Sequence, residues 1–214
     1  MSKPIKGGIY LVADGGMDPA ILMHKLEQAL RGGISVIQLY NISNDKEETI
    51  ATINKICELA HSFDVPVLIN NNWYFIDRTL LDGVHFDKVP LDYAFVEKSI
   101  QKDFIKGITC TNDLAVIEWA DKNGFDYISF CSMFPSPSVD SCDIVSFETV
   151  QKARKITQMP IFLAGGLNSE TLPKLSSLSF DGIALISAIM SAIDITASTK
   201  QFKHELFKIQ NHES

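Results

Sequence analysis

Cysteine is scarce in this sequence: four residues in 214, Cys57, Cys110, Cys131 and Cys142, with no C-x-x-C spacing among them. That spacing and density exclude a secreted disulfide scaffold and a zinc ribbon, and they suit thiols in a reducing cytoplasm. Positive charge is also short, 19 Lys and Arg against 26 Asp and Glu for a formal charge of -7. A nucleic-acid surface needs clustered cations to neutralise phosphates, so that class of partner is excluded and any anion bound here must be held locally. No apolar run approaches the roughly 20 residues that span a bilayer, and no basic start leads into an apolar stretch, so the expectation is a soluble, unprocessed, cytoplasmic protein without a membrane partner. The patterns G-x-G-x-x-G after the first strand, H-E-x-x-H, G-x-S-x-G and the P-loop are all missing. Dinucleotide, zinc-peptidase, serine-hydrolase and P-loop NTPase chemistry lose their usual signatures with them.

What is present is enough apolar sequence for a large core, 46% hydrophobic against 21% charged, in a chain of the length of one domain over residues 1–214. Apolar, β-branched runs of about five residues alternate with longer segments of helical period, the pattern of parallel strands buried on both faces. The strands read as Gly8–Ala13, Val36–Tyr40, Val65–Asn70, Gly83–Phe86, Ile105–Thr109, Tyr127–Phe130, Ile161–Ala164 and Gly182–Ile186. Helices are expected near Pro19–Arg31, Glu47–Ser62, Trp73–Leu80, Leu91–Gln101, Asp113–Lys122, Phe147–Ile156, Ser169–Leu178 and Thr196–Ile209. Asp18-Pro19 and Asn168 mark helix starts, while Gly32-Gly33 and Asn123-Gly124 mark left-handed ends. Eight such units predict a (β/α)8 TIM barrel; an open doubly wound sheet is the alternative with the same alternation.

In a barrel the ligand sits where strands end, and phosphate is commonly held by the loops after strands seven and eight. Those loops are Gly165-Gly166-Leu167-Asn168 and Ile186-Ser187-Ala188-Ile189. The glycines let backbone N–H groups approach an anion, and the small residues open a helical turn with unpaired N–H groups, so Gly165, Gly166, Ile186 and Ser187 are candidate phosphate-binding residues. A Gly-Gly pair alone would be no more than a tight turn; the second turn one βα unit later tips the balance.

Other strands end in polar residues: Asp14, Gln38, Asn70-Asn71-Asn72, His85 with Asp87, Thr109, and Ser136 with Ser138 in the one long irregular stretch, Cys131–Ser146. Buried strands have little reason to finish in amides unless something polar lies there. Asn also favours turns, and His85 reads equally as a core histidine or a ligand contact. Trp73, Tyr74 and Phe75 read as helix packing, and Cys142 as an inert loop cysteine, with a thiol placed near the ligand by Ser141-Cys142-Asp143 as the alternative.

Taken in order, Tyr10-Leu11-Val12-Ala13-Asp14, Gly33 to Leu39, Ile69-Asn70-Asn71, Gly83-Val84-His85-Phe86, Asp126-Tyr127-Ile128, Phe134-Pro135-Ser136-Pro137-Ser138, Gly165-Gly166 and Gly182 to Ile189 resemble the thiamine phosphate synthase family, which shares its fold with a thiazole tautomerase branch. The resemblance implies a transferase of thiamine biosynthesis that joins hydroxymethylpyrimidine pyrophosphate to thiazole phosphate, with Mg2+ on the leaving pyrophosphate. It implies backbone contacts of Gly166, Ile186 and Ser187 to the thiazole phosphate, hydroxyls from Ser136 and Ser138, and Gln38, Asn70 and Thr109 around the pyrimidine and pyrophosphate. Tyr40 and His85 stand as further substrate contacts, and a self-associating chain is implied.

Departures from the family pattern concentrate on charge. Tyr40 and Ile42 stand where the family has Arg and Lys, Val139 where it has a loop Lys, and Asn71 and Pro90 where it has two magnesium-binding aspartates. Stabilising the charge of a leaving pyrophosphate with metal and cations is a large catalytic term. Asp14, Asp87 and Lys88 are candidates for a shifted metal ligand and cation, with Asn71 and Asp87 as the nearest metal pair. A chain that keeps the phosphate turns and loses the pyrophosphate site also fits a tautomerase-like enzyme, although Thr111 occupies that branch's His position, or a non-catalytic protein that binds a phosphorylated heterocycle.

Overall fold

The computed structural model describes residues 4–42, 46–135 and 143–211. Its strands are β1 (Gly8–Asp14), β2 (Val36–Tyr40), β3 (Val67–Asn70), β4 (Gly83–Phe86), β5 (Ile105–Cys110), β6 (Tyr127–Cys131), β7 (Ile161–Ala164) and β8 (Gly182–Leu185). They pair in parallel in sequence order, and β8 pairs back onto β1 with Gly8 opposite Gly182, so the sheet closes on itself. Closure excludes the open-sheet alternative. The helices are α1 (Pro19–Gly32), α2 (Glu47–His61), α3 (Tyr93–Ser99), α4 (Ala115–Lys122), α5 (Phe147–Ile156), α6 (Ser187–Met190) and α7 (Ile195–Gln210). No helix among the described residues is long and apolar enough to cross a membrane.

The two-residue period of the strands divides the apolar side chains into two sets. Ile9, Leu11, Ile37, Ile69, Val84, Ile108, Ile128, Leu163 and Ile183 join the core between sheet and helices. Tyr10, Val36, Leu68, Ile105, Tyr127, Phe162 and Ala184 form a second cluster inside the barrel. Gly107 is a glycine because a Cβ there would overlap the Tyr127 ring. The tyrosine thus lies across β5 instead of being pushed off it.

Local signals set the helix ends. Asp18 Oδ1 accepts from the N–H groups of Ala20 and Ile21, with Pro19 in the first turn, and Gly33 (φ 92°) and Gly124 (φ 64°) turn left-handed after α1 and α4. Asn123 (φ -94°) does not share that conformation.

Two expected helices take another form. After β3, Trp73–Arg78 is a 3₁₀ helix. The asparagine run begins it with tight bonds, Asn72 N–H to Asn70 O, Trp73 N–H to Asn71 O and Phe75 N–H to Asn72 O, which leaves no α-helical register to propagate. Phe75 is buried as expected, whereas Tyr74 is 42% exposed and lies outside the core. Between β7 and β8 the expected Ser169–Leu178 helix reduces to 3₁₀ Leu172–Leu175. Pro173 has no N–H for a bond to Ser169, and Asn168 Oδ1 takes the N–H groups of Glu170 and Thr171, so the chain proceeds by turns. The helix expected over Leu91–Gln101 begins two residues late and ends two early, capped by Asp92 on Phe95 N–H.

Candidate active site at the carboxyl ends of the strands

Ala164 of β7 lies opposite Ala184 of β8 in the sheet register, so the loops that leave these strands run side by side. The first holds Gly165 (φ 88°) and Gly166 (φ 65°) in the left-handed region that favours glycine. A Cβ on Gly166 would come within 2.7 Å of the Phe134 and Pro135 carbonyl oxygens, so this turn tolerates no side chain. The second opens α6 at Ser187. The N–H groups of Gly165, Gly166, Ile186, Ser187 and Ala188 donate to no acceptor among the described residues. All five residues border a single cavity of about 280 Å³ at the barrel mouth, just below the roughly 300–1,000 Å³ usual for small-molecule sites.

The same cavity is lined by Gln38, Tyr40, Asn70, His85, Asp87 and Thr109, so most of the candidates from the sequence meet at one place. Asn71 does not line it but is tied to its rim, donating from Nδ2 to Asp87 Oδ2 at 2.6 Å and accepting at Oδ1 from the Asp87 N–H at 3.0 Å. Asp14 and Lys88 do not line it. Asp14 Oδ1 instead accepts from Gly16 N–H and Asn41 Nδ2, and Lys88 is exposed. Thr111 is also outside the lining, its Oγ1 accepting from Asp113 N–H. Ser136, Ser138, Val139 and Cys142 lie outside the described residues.

Sequence reasoning passed over the floor of the cavity. Tyr10, Tyr127, Ser129 and Cys131 belong to this place: Tyr10, Ser129 and Cys131 line it, and Tyr127 lies fully buried beneath. The signal was present, since a tyrosine in a strand buried on both faces must find a partner for its hydroxyl. Tyr10 Oη donates to Gln38 Oε1 at 2.6 Å and lies 2.8 Å from Tyr127 Oη. Tyr127 Oη is 2.8 Å from His85 Nδ1, and His85 Nε2 is 2.8 Å from Thr109 Oγ1. On the other side Gln38 Nε2 donates to Asn70 Oδ1 at 2.7 Å, and Asn70 Nδ2 to Asp87 Oδ2 at 3.0 Å.

His85 therefore fills both roles that the sequence left open, a core residue whose ring also borders the cavity. Burial pulls its imidazole down to about 4, against the Asp87 charge, which pushes the other way. It is neutral at pH 7 with both nitrogens engaged. Burial likewise pushes the hydroxyls of Tyr10 and Tyr127 well above the ordinary phenol range, and Tyr40 is raised first by burial and then by the Asp14 charge.

No Lys or Arg is among the residues lining the cavity, and the undescribed segments 43–45 and 136–142 contain none in their sequence. Asp87 is the one carboxylate among the described lining residues. Magnesium requires near-octahedral oxygen ligation, usually one or two carboxylates with substrate phosphates and water. Here one Asp87 oxygen already accepts two amide hydrogens and the Asn71 oxygen is taken by a backbone N–H. No three of His, Cys, Asp and Glu gather as a metal set among the described residues. The Asn71 and Asp87 pair does not fit a magnesium site of its own.

Fold and site together define a TIM barrel with a cavity at its carboxyl mouth, rimmed by amides that have no acceptor among the described residues and floored by a chain of polar side chains. A family model described as thiamine monophosphate synthase matches residues 9–189. The thiamine-phosphate synthase of Clostridium beijerinckii is 30% identical over 210 residues, 98% of this chain and 100% of the relative. That of Clostridioides difficile is 32% identical over 199 residues, 91% and 92% of the two chains. A solved structure of thiamine phosphate pyrophosphorylase from Pyrococcus furiosus shares the fold, with a TM-score of 0.80 at 22% identity over 96% of this chain and 98% of that one. The chain belongs to the thiamine monophosphate synthase family.

Proposed function

We propose that this chain is a thiamine phosphate synthase-like transferase that joins hydroxymethylpyrimidine pyrophosphate to thiazole phosphate in the cytoplasm. The observation that carries the reading is the pair of adjacent turns after β7 and β8, five of whose amides have no partner among the described residues. Such N–H groups hold a phosphate without side-chain charge. In this reading Gly165, Gly166, Ile186 and Ser187 hold the thiazole phosphate, with Ser136 and Ser138 adding hydroxyls. Gln38, Asn70 and Thr109 orient the pyrimidine, and Tyr40 and His85 shape the wall against it. His85 is a poor general base here, because its ring is buried, neutral and bonded at both nitrogens. Magnesium enters only as the counter-ion that pyrophosphate carries in solution.

The test is incubation of the purified chain with both phosphorylated precursors and Mg2+, read for thiamine phosphate and for pyrophosphate. Formation of both supports the transferase; their absence while thiazole phosphate still binds rejects it.

A second reading rests on the cation-free lining. A departing pyrophosphate carries several negative charges, and a site without Lys or Arg is poorly matched to them. That mismatch favours a protein that holds thiazole phosphate alone, as a tautomerase-like enzyme or a non-catalytic binder. Ligand-dependent thermal stabilisation without pyrophosphate release is its signature.

A further inference from the structure

The polar chain under the cavity runs Asp87, Asn70, Gln38, Tyr10, Tyr127, His85, Thr109, buried from Gln38 to His85, and each contact lies between 2.6 and 3.0 Å. Every link needs one hydrogen between its two atoms, and three of the groups, Tyr10, Tyr127 and Thr109, are hydroxyls with a single hydrogen to give. The direction of one link therefore dictates the next.

The Asp87 end fixes it. A carboxylate oxygen offers lone pairs only, so Asn70 must turn its amide nitrogen toward Asp87 and its Oδ1 toward Gln38. Gln38 then gives an Nε2 hydrogen to Asn70 and turns Oε1 toward Tyr10, whose hydroxyl donates. Tyr10 has now spent its hydrogen, so Tyr127 must supply the one between the two hydroxyls. Tyr127 can then only accept from His85, which places the imidazole proton on Nδ1. The neutral ring presents a bare Nε2, and Thr109 turns its hydroxyl hydrogen to it. Running the chain the other way would set Asn70 Oδ1 against Asp87 Oδ2, two acceptors at 3.0 Å with nothing between them.

We infer that Asp87 is a positioning residue that orders the protons of this chain, so that Thr109 offers the cavity lone pairs alone and Gln38 keeps one N–H to offer it. Both residues line the cavity, so a bound heterocycle must donate to Thr109 and accept from Gln38. Without the anchor, Asn70 and Gln38 are free to rotate their amides, the whole chain can reverse, and Thr109 becomes a donor.

The inference goes beyond the proposed reaction and is read on the protein without substrate, so it stands or falls apart from transfer activity. The readout is the tautomer of His85, from nitrogen NMR of the full chain labelled at its five histidines, with the resonance assigned by its loss in His85→Gln. The expected result at neutral pH is the Nδ1–H tautomer. Asp87→Ala, at an exposed position, is expected to convert it to a mixture of both tautomers. Tyr127→Phe is expected to drive it to Nε2–H, because Nδ1–H loses its acceptor while Thr109 stays in place. Tyr127 lies in the core, and should that variant not fold, Asp87→Ala decides. A wild-type Nε2–H tautomer overturns the inference, and so does an Asp87→Ala protein in which Nδ1–H remains fully populated.

Discussion

A neutral histidine 4% exposed, with both nitrogens engaged, makes the fold sensitive to acid in one direction. The unfolded chain carries His85 near its ordinary 6.5, and the folded chain near 4. Between those values the unfolded state binds more protons, so stability is full above about pH 6.5 and falls as pH drops toward about 4. The whole step is about 3 kcal/mol by linkage. Urea unfolding across this window checks it, with His85→Gln as the comparison: the slope assigned to His85 must vanish in that variant. Tyr127→Phe removes the hydroxyl between Tyr10 and His85 and leaves the buried Nδ1 without a partner. An unsatisfied buried polar group costs about 1–3 kcal/mol, and the same unfolding measurement at neutral pH is expected to show that loss.

At the scale of elements, the turns after β7 and β8 form the candidate phosphate seat because the first amides of each donate to nothing among the described residues. The Gly166 N–H has no acceptor among the described residues and sits in a left-handed turn pressed against the Phe134 and Pro135 carbonyls. Gly166→Ala must move either the turn or the chain after β6, and with it the amide. Losing one charge-assisted bond of about 1.5–3 kcal/mol weakens phosphate about tenfold to a hundredfold, which calorimetric titration with inorganic phosphate measures. These turns were legible in the sequence because glycine pairs and small-residue helix starts are local signals. The strands were legible for a similar reason, since burial on both faces writes itself as continuous apolar runs. Trp73–Arg78 and Ser169–Leu178 misled because their apolar spacing suits a helix while Asn70–Asn72 and Pro173 spoil its hydrogen bonding. The floor was missed because Tyr10 and Tyr127 stand 117 positions apart, and only closure of the barrel brings their hydroxyls together.

The molecule as a whole carries a formal charge of -7 and surrounds its candidate phosphate seat with a lining that contains a carboxylate and no Lys or Arg. An anion approaching a cation-lined pocket is attracted at long range, and salt weakens that attraction. Here the long-range field is repulsive, and the binding term comes from amide dipoles that act within a single hydrogen-bond length. Salt screens the first and barely touches the second, because the Debye length shrinks from about 30 Å at 0.01 M to about 8 Å at 0.15 M. The dissociation constant for inorganic phosphate is therefore expected to stay level or fall over that range of ionic strength, the opposite of a site built on Lys or Arg. Thermal melts over a phosphate titration at each salt concentration read it, since a ligand at 100 times its dissociation constant adds about 2.7 kcal/mol of stability. A constant that rises steeply with salt would mean that a side-chain cation reaches the phosphate. Lys88, exposed three residues after His85 and two after its strand's end at Phe86, is the first to replace by Ala in that event, because it follows the cavity-lining Asp87 directly and a swing of its side chain over the rim would bring positive charge to a cavity whose described lining has none.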